Sequence, residues 1–142
     1  MRGVDMKGLL PLKTYLYARL STDTDLIALL GGLHIYDVVQ EGASLPYIAY
    51  DQISSQRVHQ LDAQMSEHIL RLVIVARADS SLTTHNIMAR LEQVFDELPA
   101  NDDLTLGYEL SSATLLSTCI EQVDFEVVKG VIEVKLLITG GS

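Results

Sequence analysis

The chain has 142 residues, 48% of them hydrophobic, and a formal net charge of −9. Its length fits one domain, residues 1–142, that can bury a core without a metal or disulfide staple, and its apolar share argues against disorder over most of its length. The excess of acid opposes phosphate backbones, which are bound by Lys and Arg, so sequence-specific nucleic-acid binding is not expected.

In chain order, Leu9, Leu12, Leu16 and Leu20 recur at helical spacing and predict a first helix over Leu9–Leu20. Pro11 is compatible with it only in the first turn, where its missing N–H costs nothing. Thr22 or Asp23 is placed to cap a short helix over Leu26–Leu30, and Gly31-Gly32 ends it. A brief extended piece, Leu33–Tyr36, leads through a loop to Pro46 and a strand over Tyr47–Ile53, with Tyr47, Ala49 and Ile53 on one face. Ser54–Ser66 is polar and rich in Gln and Ser, and reads as a long connecting loop ordered by neighbouring copies.

His68–Arg77 is apolar on both faces and predicts a strand near the middle of a sheet. Ile87, Leu91, Val94, Phe95 and Leu98 form the stripe of an amphipathic helix that Pro99 stops. Three extended segments follow, over Leu104–Leu110, Thr114–Phe125 and Val131–Ile138, the last two joined by a turn at Lys129-Gly130. The expected fold is therefore α+β: an antiparallel or mixed sheet of about four to five strands with helices packed on one face.

Chemistry-bearing patterns are missing from this order. Gly31-Gly32 precedes an extended piece and does not open a helix, so it is no phosphate loop. His34, His59, His68 and His85 have no metal-ligand spacing and read as surface or strand-end residues. Asp23/Asp25 and Asp102-Asp103 lack the run of a calcium loop, and no Gly-x-Ser-x-Gly elbow surrounds the serine pairs. Cys119, the only cysteine, reads as a buried or half-buried strand residue. No apolar stretch is long enough to span a bilayer. Met1–Lys7 lacks a secretory apolar region, which predicts a cytoplasmic start. No cofactor, metal or enzymatic activity is expected.

Assembly is the remaining reading. Candidate interface residues are Ser55, Gln56, Arg57, Val58, His59 and Gln60 in the polar segment, with Arg71 and Arg77 on the long strand. Arg71 and Arg77 beside Val73 and Val75 would make a mixed charged and apolar face suited to a protein contact. An internal salt bridge for Arg71 and a solvated strand end for Arg77 account for them equally well. The edges of Tyr47–Ile53 or Val131–Ile138 are the places where a sheet would continue across subunits.

The ordered series Leu26–Gly32, Ile35-Tyr36-Asp37, Leu45–Ile48, His68–Arg77, Asn86–Leu98 and Gly130–Val134 resembles the small tail-completion, or tail-terminator, proteins of long-tailed bacteriophages and gene transfer agents. Val75 stands where that family often carries a Trp. The resemblance implies a structural virion protein of the head-proximal tail, made in the host cytoplasm. It would form a ring of its own copies, typically six, on the end of the tail tube. The ring would stop tube polymerisation and dock the head connector or stopper, while DNA passes through the bore without specific binding. The alternatives are a neck or head-completion protein, one layer nearer the capsid, and a cellular binding module.

Overall fold

Aliphatic side chains from three helices meet one face of a single sheet. The computed structural model of the chain describes residues 8–59 and 64–140, apart from the side chains of residues 59, 80 and 81. Helix α1 (Leu9–Ser21) buries Leu9, Leu12, Leu16 and Leu20, with Pro11 in its first turn. Helix α2 (Thr24–Leu30) is capped by Asp23, whose carboxylate accepts the Leu26 N–H at 3.1 Å. It is closed by Gly31 at φ 77°, a left-handed conformation that glycine adopts without a Cβ penalty. Helix α3 (Ser81–Asp96) buries Ile87, Met88, Leu91, Val94 and Phe95.

The strands are β1 (Ile35–Tyr36), β2 (Tyr47–His59), β3 (Gln64–Arg77), β4 (Asp102–Asp103), β5 (Tyr108–Gln122) and β6 (Val127–Gly140). They lie in the order β1-β2-β3-β6-β5-β4. β1 runs parallel to β2 and every other pair is antiparallel, so the α+β fold has a mixed sheet. Its six strands exceed the four to five expected, and β1 and β4 are only two residues long. Leu70, Leu72 and Ile74 of β3 and Ile132, Val134, Leu136 and Ile138 of β6 join the helical leucines in one core. A fully buried side chain of this kind contributes about 1.5–3 kcal/mol. On the opposite face Ala49, Val73 and Val131 form a small cluster to which only strands contribute, with Tyr36, Tyr47 and Val75 against it.

Several expectations need correction. Ser54–Ser66 is not a long loop: β2 continues to His59 and β3 begins at Gln64, in unbroken register from Gln52↔Arg71 to His59↔Gln64. Alternating polar side chains on paired strands look like a loop when hydrophobicity alone is read. A register shift at Asp51 moves Ile53 onto the face of Ile48 and Tyr50, and not onto that of Tyr47 and Ala49. Leu104–Leu110 is no continuous strand, because Leu106 (φ 61°) and Gly107 (φ 81°) turn the chain before β5 starts.

The β5–β6 turn lies at Val123–Glu126, not at Lys129-Gly130. Asp124 Oδ1 accepts the N–H groups of Glu126 (2.7 Å) and Val127 (2.9 Å), a side-chain mimic of a backbone turn. Gly130 lies inside β6 directly beneath α3: a Cβ there would stand 2.8 Å from Met88 Sδ and 3.3 Å from Thr84 Cγ2. The glycine is required by close approach and not by a turn.

Polar ties fix the helices to one another and to the sheet. Arg90 on α3 donates through Nε (2.7 Å) and Nη2 (2.5 Å) to the two oxygens of Asp23, so one carboxylate caps α2 and anchors α3. Tyr15 on α1 donates to Asp102 Oδ2 of β4 at 2.7 Å, and Arg19 Nη2 approaches the same oxygen at 3.3 Å.

Two consequences are measurable. Hydrogen bonds from Arg90 hold the Asp23 carboxyl below its ordinary value of 3.8, against the opposing effect of burial. A lowered folded value means that the stabilisation is complete above that pH and is lost as pH falls through the folded value. Asp23→Ala is expected to cost about 1–2 kcal/mol near neutrality and to flatten the acid limb of stability against pH. Asp23→Asn, which keeps a capping oxygen, should cost less and flatten it equally. Gly130→Val should cost about 1–3 kcal/mol by overpacking, and Gly130→Ala less, because the Met88 side chain can swing aside. Urea unfolding as a function of pH checks both.

Candidate functional site: an assembly surface

The register divides the candidate residues between the two faces of the sheet. Ser55, opposite His68, and Arg57, opposite Ser66, lie on the helix-covered side. Gln56 and Val58 lie on the uncovered side, where Gln56 Nε2 donates to Glu67 Oε2 at 2.8 Å. The backbone of His59 pairs with Gln64, and Gln60 falls outside the described residues. Arg71 is on the uncovered side between Gln52 and Glu133, its Nε 3.0 Å from Asp51 Oδ2, an ion pair without good hydrogen-bond geometry. Arg77 is exposed at the end of β3 and lines a shallow recess with His34, Pro46 and Thr83. The six of them whose side chains are described therefore do not converge on one patch.

His68 is fully buried, contrary to the surface or strand-end role expected of it. Ser55 Oγ lies 2.7 Å from its Nδ1 and Ser66 Oγ 2.9 Å from its Nε2. Hydroxyls both donate and accept, so this pair satisfies either tautomer of the ring. The alternation Ser55, Ser66, His68 was the available signal, since paired strands bring such residues together. Among the described residues no group of three or more His, Cys, Asp and Glu is placed to hold a metal ion. Among them, too, no helix is long and apolar enough to cross a membrane.

The uncovered face mixes signs. Arg71, Arg77, Lys129 and Lys135 alternate with Glu67, Glu109, Glu121 and Glu133 along β3, β5 and β6. Cross-strand partners include Arg71 with Glu133 and Glu121 with Lys129, the latter an ion pair at 3.8 Å. Most of the net negative charge therefore sits on the segments between helices and strands.

Among the exposed apolar residues of the described chain, two groups lie beside the open strands. One is the β5 edge and its turn, with Leu116, Ile120, Val123 and Phe125, the last 96% exposed. The other is the α1 stripe of Leu10 and Tyr17. Between this stripe and β1–β2 lies a recess of about 290 Å³, lined mainly by apolar side chains including Ile35, Ile48 and Tyr50. Lys13 sits at it, paired with Asp37 at 2.7 Å and 5.2 Å from the centre of the Tyr50 ring. Burial, with a smaller effect of Asp37, pushes the Tyr50 phenol up to about 12, so the ring is neutral at ordinary pH.

Cys119, expected to be at least half-buried, is exposed, because it stands opposite Val131 on the uncovered face of an edge strand. The expected edge at Val131–Ile138 is also corrected: β6 is paired on both sides, with β3 and with β5. The long edges belong to β2 and β5.

The family described as tail completion protein gp17 matches residues 14–118, from within α1 to within β5. The chain belongs to that family. It is accordingly a structural protein of the tail completion type. Among solved structures, a chain in the virion of a native gene transfer agent (GTA) particle has a similar fold. Its TM-score is 0.75 at 18% sequence identity, over 88% of this chain and 92% of that one. No curated protein matches the sequence. The resemblance seen in the sequence is thus shown at the level of the family.

The arrangement separates residues that hold the tail completion fold from residues free to make contacts. Arg71→Ala should change stability by less than about 1 kcal/mol, since its ion pair is half-exposed. His68→Phe should cost about 2 kcal/mol by leaving the buried Ser66 hydroxyl without its partner. Urea midpoints of the two variants check the contrast, and equal losses would contradict it.

Proposed function

We propose that this tail completion protein is a tail terminator. Copies assemble head to tail as a ring, six in the form that the family resemblance implies, on the head-proximal end of the tail tube. One surface of the ring caps the tube and stops its polymerisation, and the opposite surface receives the head-tail connector or stopper. The role is mechanical, with no catalytic step and no cofactor.

The observation that carries this reading is the pair of long open sheet edges, β2 on one side and β5 on the other. Unlike edges on one chain make a heterologous contact, and a heterologous contact closes into a ring when its rotation permits. Family membership and the fold shared with a chain of a GTA virion support the setting. The net charge of −9, repeated around the ring, disfavours adhesion of DNA passing through the bore.

Electron microscopy of particles assembled without the protein tests the proposal. Tail tubes of uncontrolled, excessive length are expected. Tubes of normal length that fail to join heads would replace this reading with that of a neck protein.

A further inference from the structure

The open edges also indicate how copies meet, an inference that rests on the ring reading above. β1 covers the outer side of β2 only at Ile48 and Ala49, and β4 covers β5 only at Glu109 and Leu110. Among the described residues, no strand pairs with the outer edge of β2 from Tyr50 to His59 or with that of β5 from Ser111 to Gln122. The two covers sit at opposite ends of the sheet. Following the register across β3 and β6, Tyr50 stands level with Thr118, and Gln56 level with Ser112. Two copies at equal height therefore present open stretches that coincide over Tyr50–Gln56 and Ser112–Thr118, with β1 and β4 acting as stops above and below.

Strand direction agrees. β2, β3, β6 and β5 alternate in sense, so β5 runs opposite to β2. Rotation about an axis running with the strands preserves each direction. The β5 of one copy then meets the β2 of the next antiparallel, the more stable ladder.

The side chains agree as well. Ser111–Ile120 contains no charge and no proline, the usual guards of an exposed edge. Leu116 and Ile120 are 42% and 37% exposed there. Ile120, opposite Gly130, points to the helix-covered side. On that same side, beside the β2 edge, is the apolar recess lined by Leu10, Tyr17 and Tyr50.

We propose that β5 of one copy adds antiparallel, through Ser112–Thr118, to the outer edge of β2 in the next, bringing the exposed apolar end of β5 to the mouth of the recess between α1, β1 and β2. The occupant of that recess is a second copy of this chain.

Paired cysteines test it. Ser54 and Thr114 are both exposed, lie on the uncovered face and stand at the same height through Ile69 and Lys135. Within one chain they are separated by β3 and β6, about 14 Å at ordinary strand spacing, too far for a disulfide. In a Cys119→Ser background, Ser54→Cys with Thr114→Cys should give, on mild oxidation of the assembled ring, a ladder of covalent oligomers beyond the dimer. Either cysteine alone should give none. Gln52→Cys or Gln56→Cys paired with Thr114→Cys covers a slide of one step in either direction, and circular dichroism confirms that each variant folds.

Rings seen by light scattering with no ladder from any pair would overturn the edge assignment and leave the ring reading intact. Covalent dimers from single-cysteine variants would replace it with a two-fold contact. The lack of any assembly, alone or with tail-tube protein, would remove the ring reading and this inference together.

Discussion

A helix layer that covers only one face of a larger sheet is the constraint from which the rest of the molecule follows. The leucines of α1 and α2 and the apolar stripe of α3 bury the central strands β3 and β6 on one side. What the layer does not reach must be satisfied in another way. The uncovered face does so with alternating charges and a small Val and Ala cluster. The outer strands retain open edges and exposed apolar side chains. Assembly capacity is thus what remains when three short helices meet a wide sheet.

The polar ties show where this layer needs help. α2 is a seven-residue helix, too short to hold itself in water. Asp23 compensates by capping it and gripping Arg90, so α2 and α3 share one carboxylate. Tyr15 and Arg19 of α1 do the equivalent at Asp102, fixing the helix to the far edge of the sheet. Ser55, Ser66 and His68 perform a third version inside the β2–β3 hairpin, where hydroxyls on neighbouring strands satisfy a buried imidazole.

Legibility in the sequence followed the strength of apolar periodicity. Leu9–Leu20, the α3 stripe and the strand over His68–Arg77 were readable because burial repeats at fixed spacing and a central strand is apolar on both faces. The end of β2 was not, because Ser54, Gln56 and Arg57 belong to a strand near an open edge, where backbone pairing and not side-chain burial makes the structure. The turn at Asp124 and the glycine at Gly130 exchanged roles for a related reason. A glycine beside a lysine suggests a turn, whereas the contact that demands it comes from Met88, far away in sequence. Of the surface, Arg71 could be read either as part of a contact face or as one half of an internal salt bridge, and it lies on the uncovered face paired with Asp51. The β5 edge went unread because its signal is the lack of charge over Ser111–Ile120, and absence has no period.

That uncharged edge also sets a physical problem which the fold answers locally. A long strand edge without lysine or proline invites indiscriminate pairing. β5 carries register shifts at Ser111 and Leu116, and each bends the strand and breaks the regular row of backbone groups. A flat, fully repeating edge would accept any extended chain. A twice-shifted edge accepts a partner only where the partner's own irregularity fits, and β2 has one, at Asp51. The net charge of −9, carried mainly by the segments between elements, adds repulsion between copies that approach in other orientations. Selectivity at such an edge therefore comes from shape along the strand and from charge around it, while the backbone ladder supplies attraction that carries no sequence information of its own.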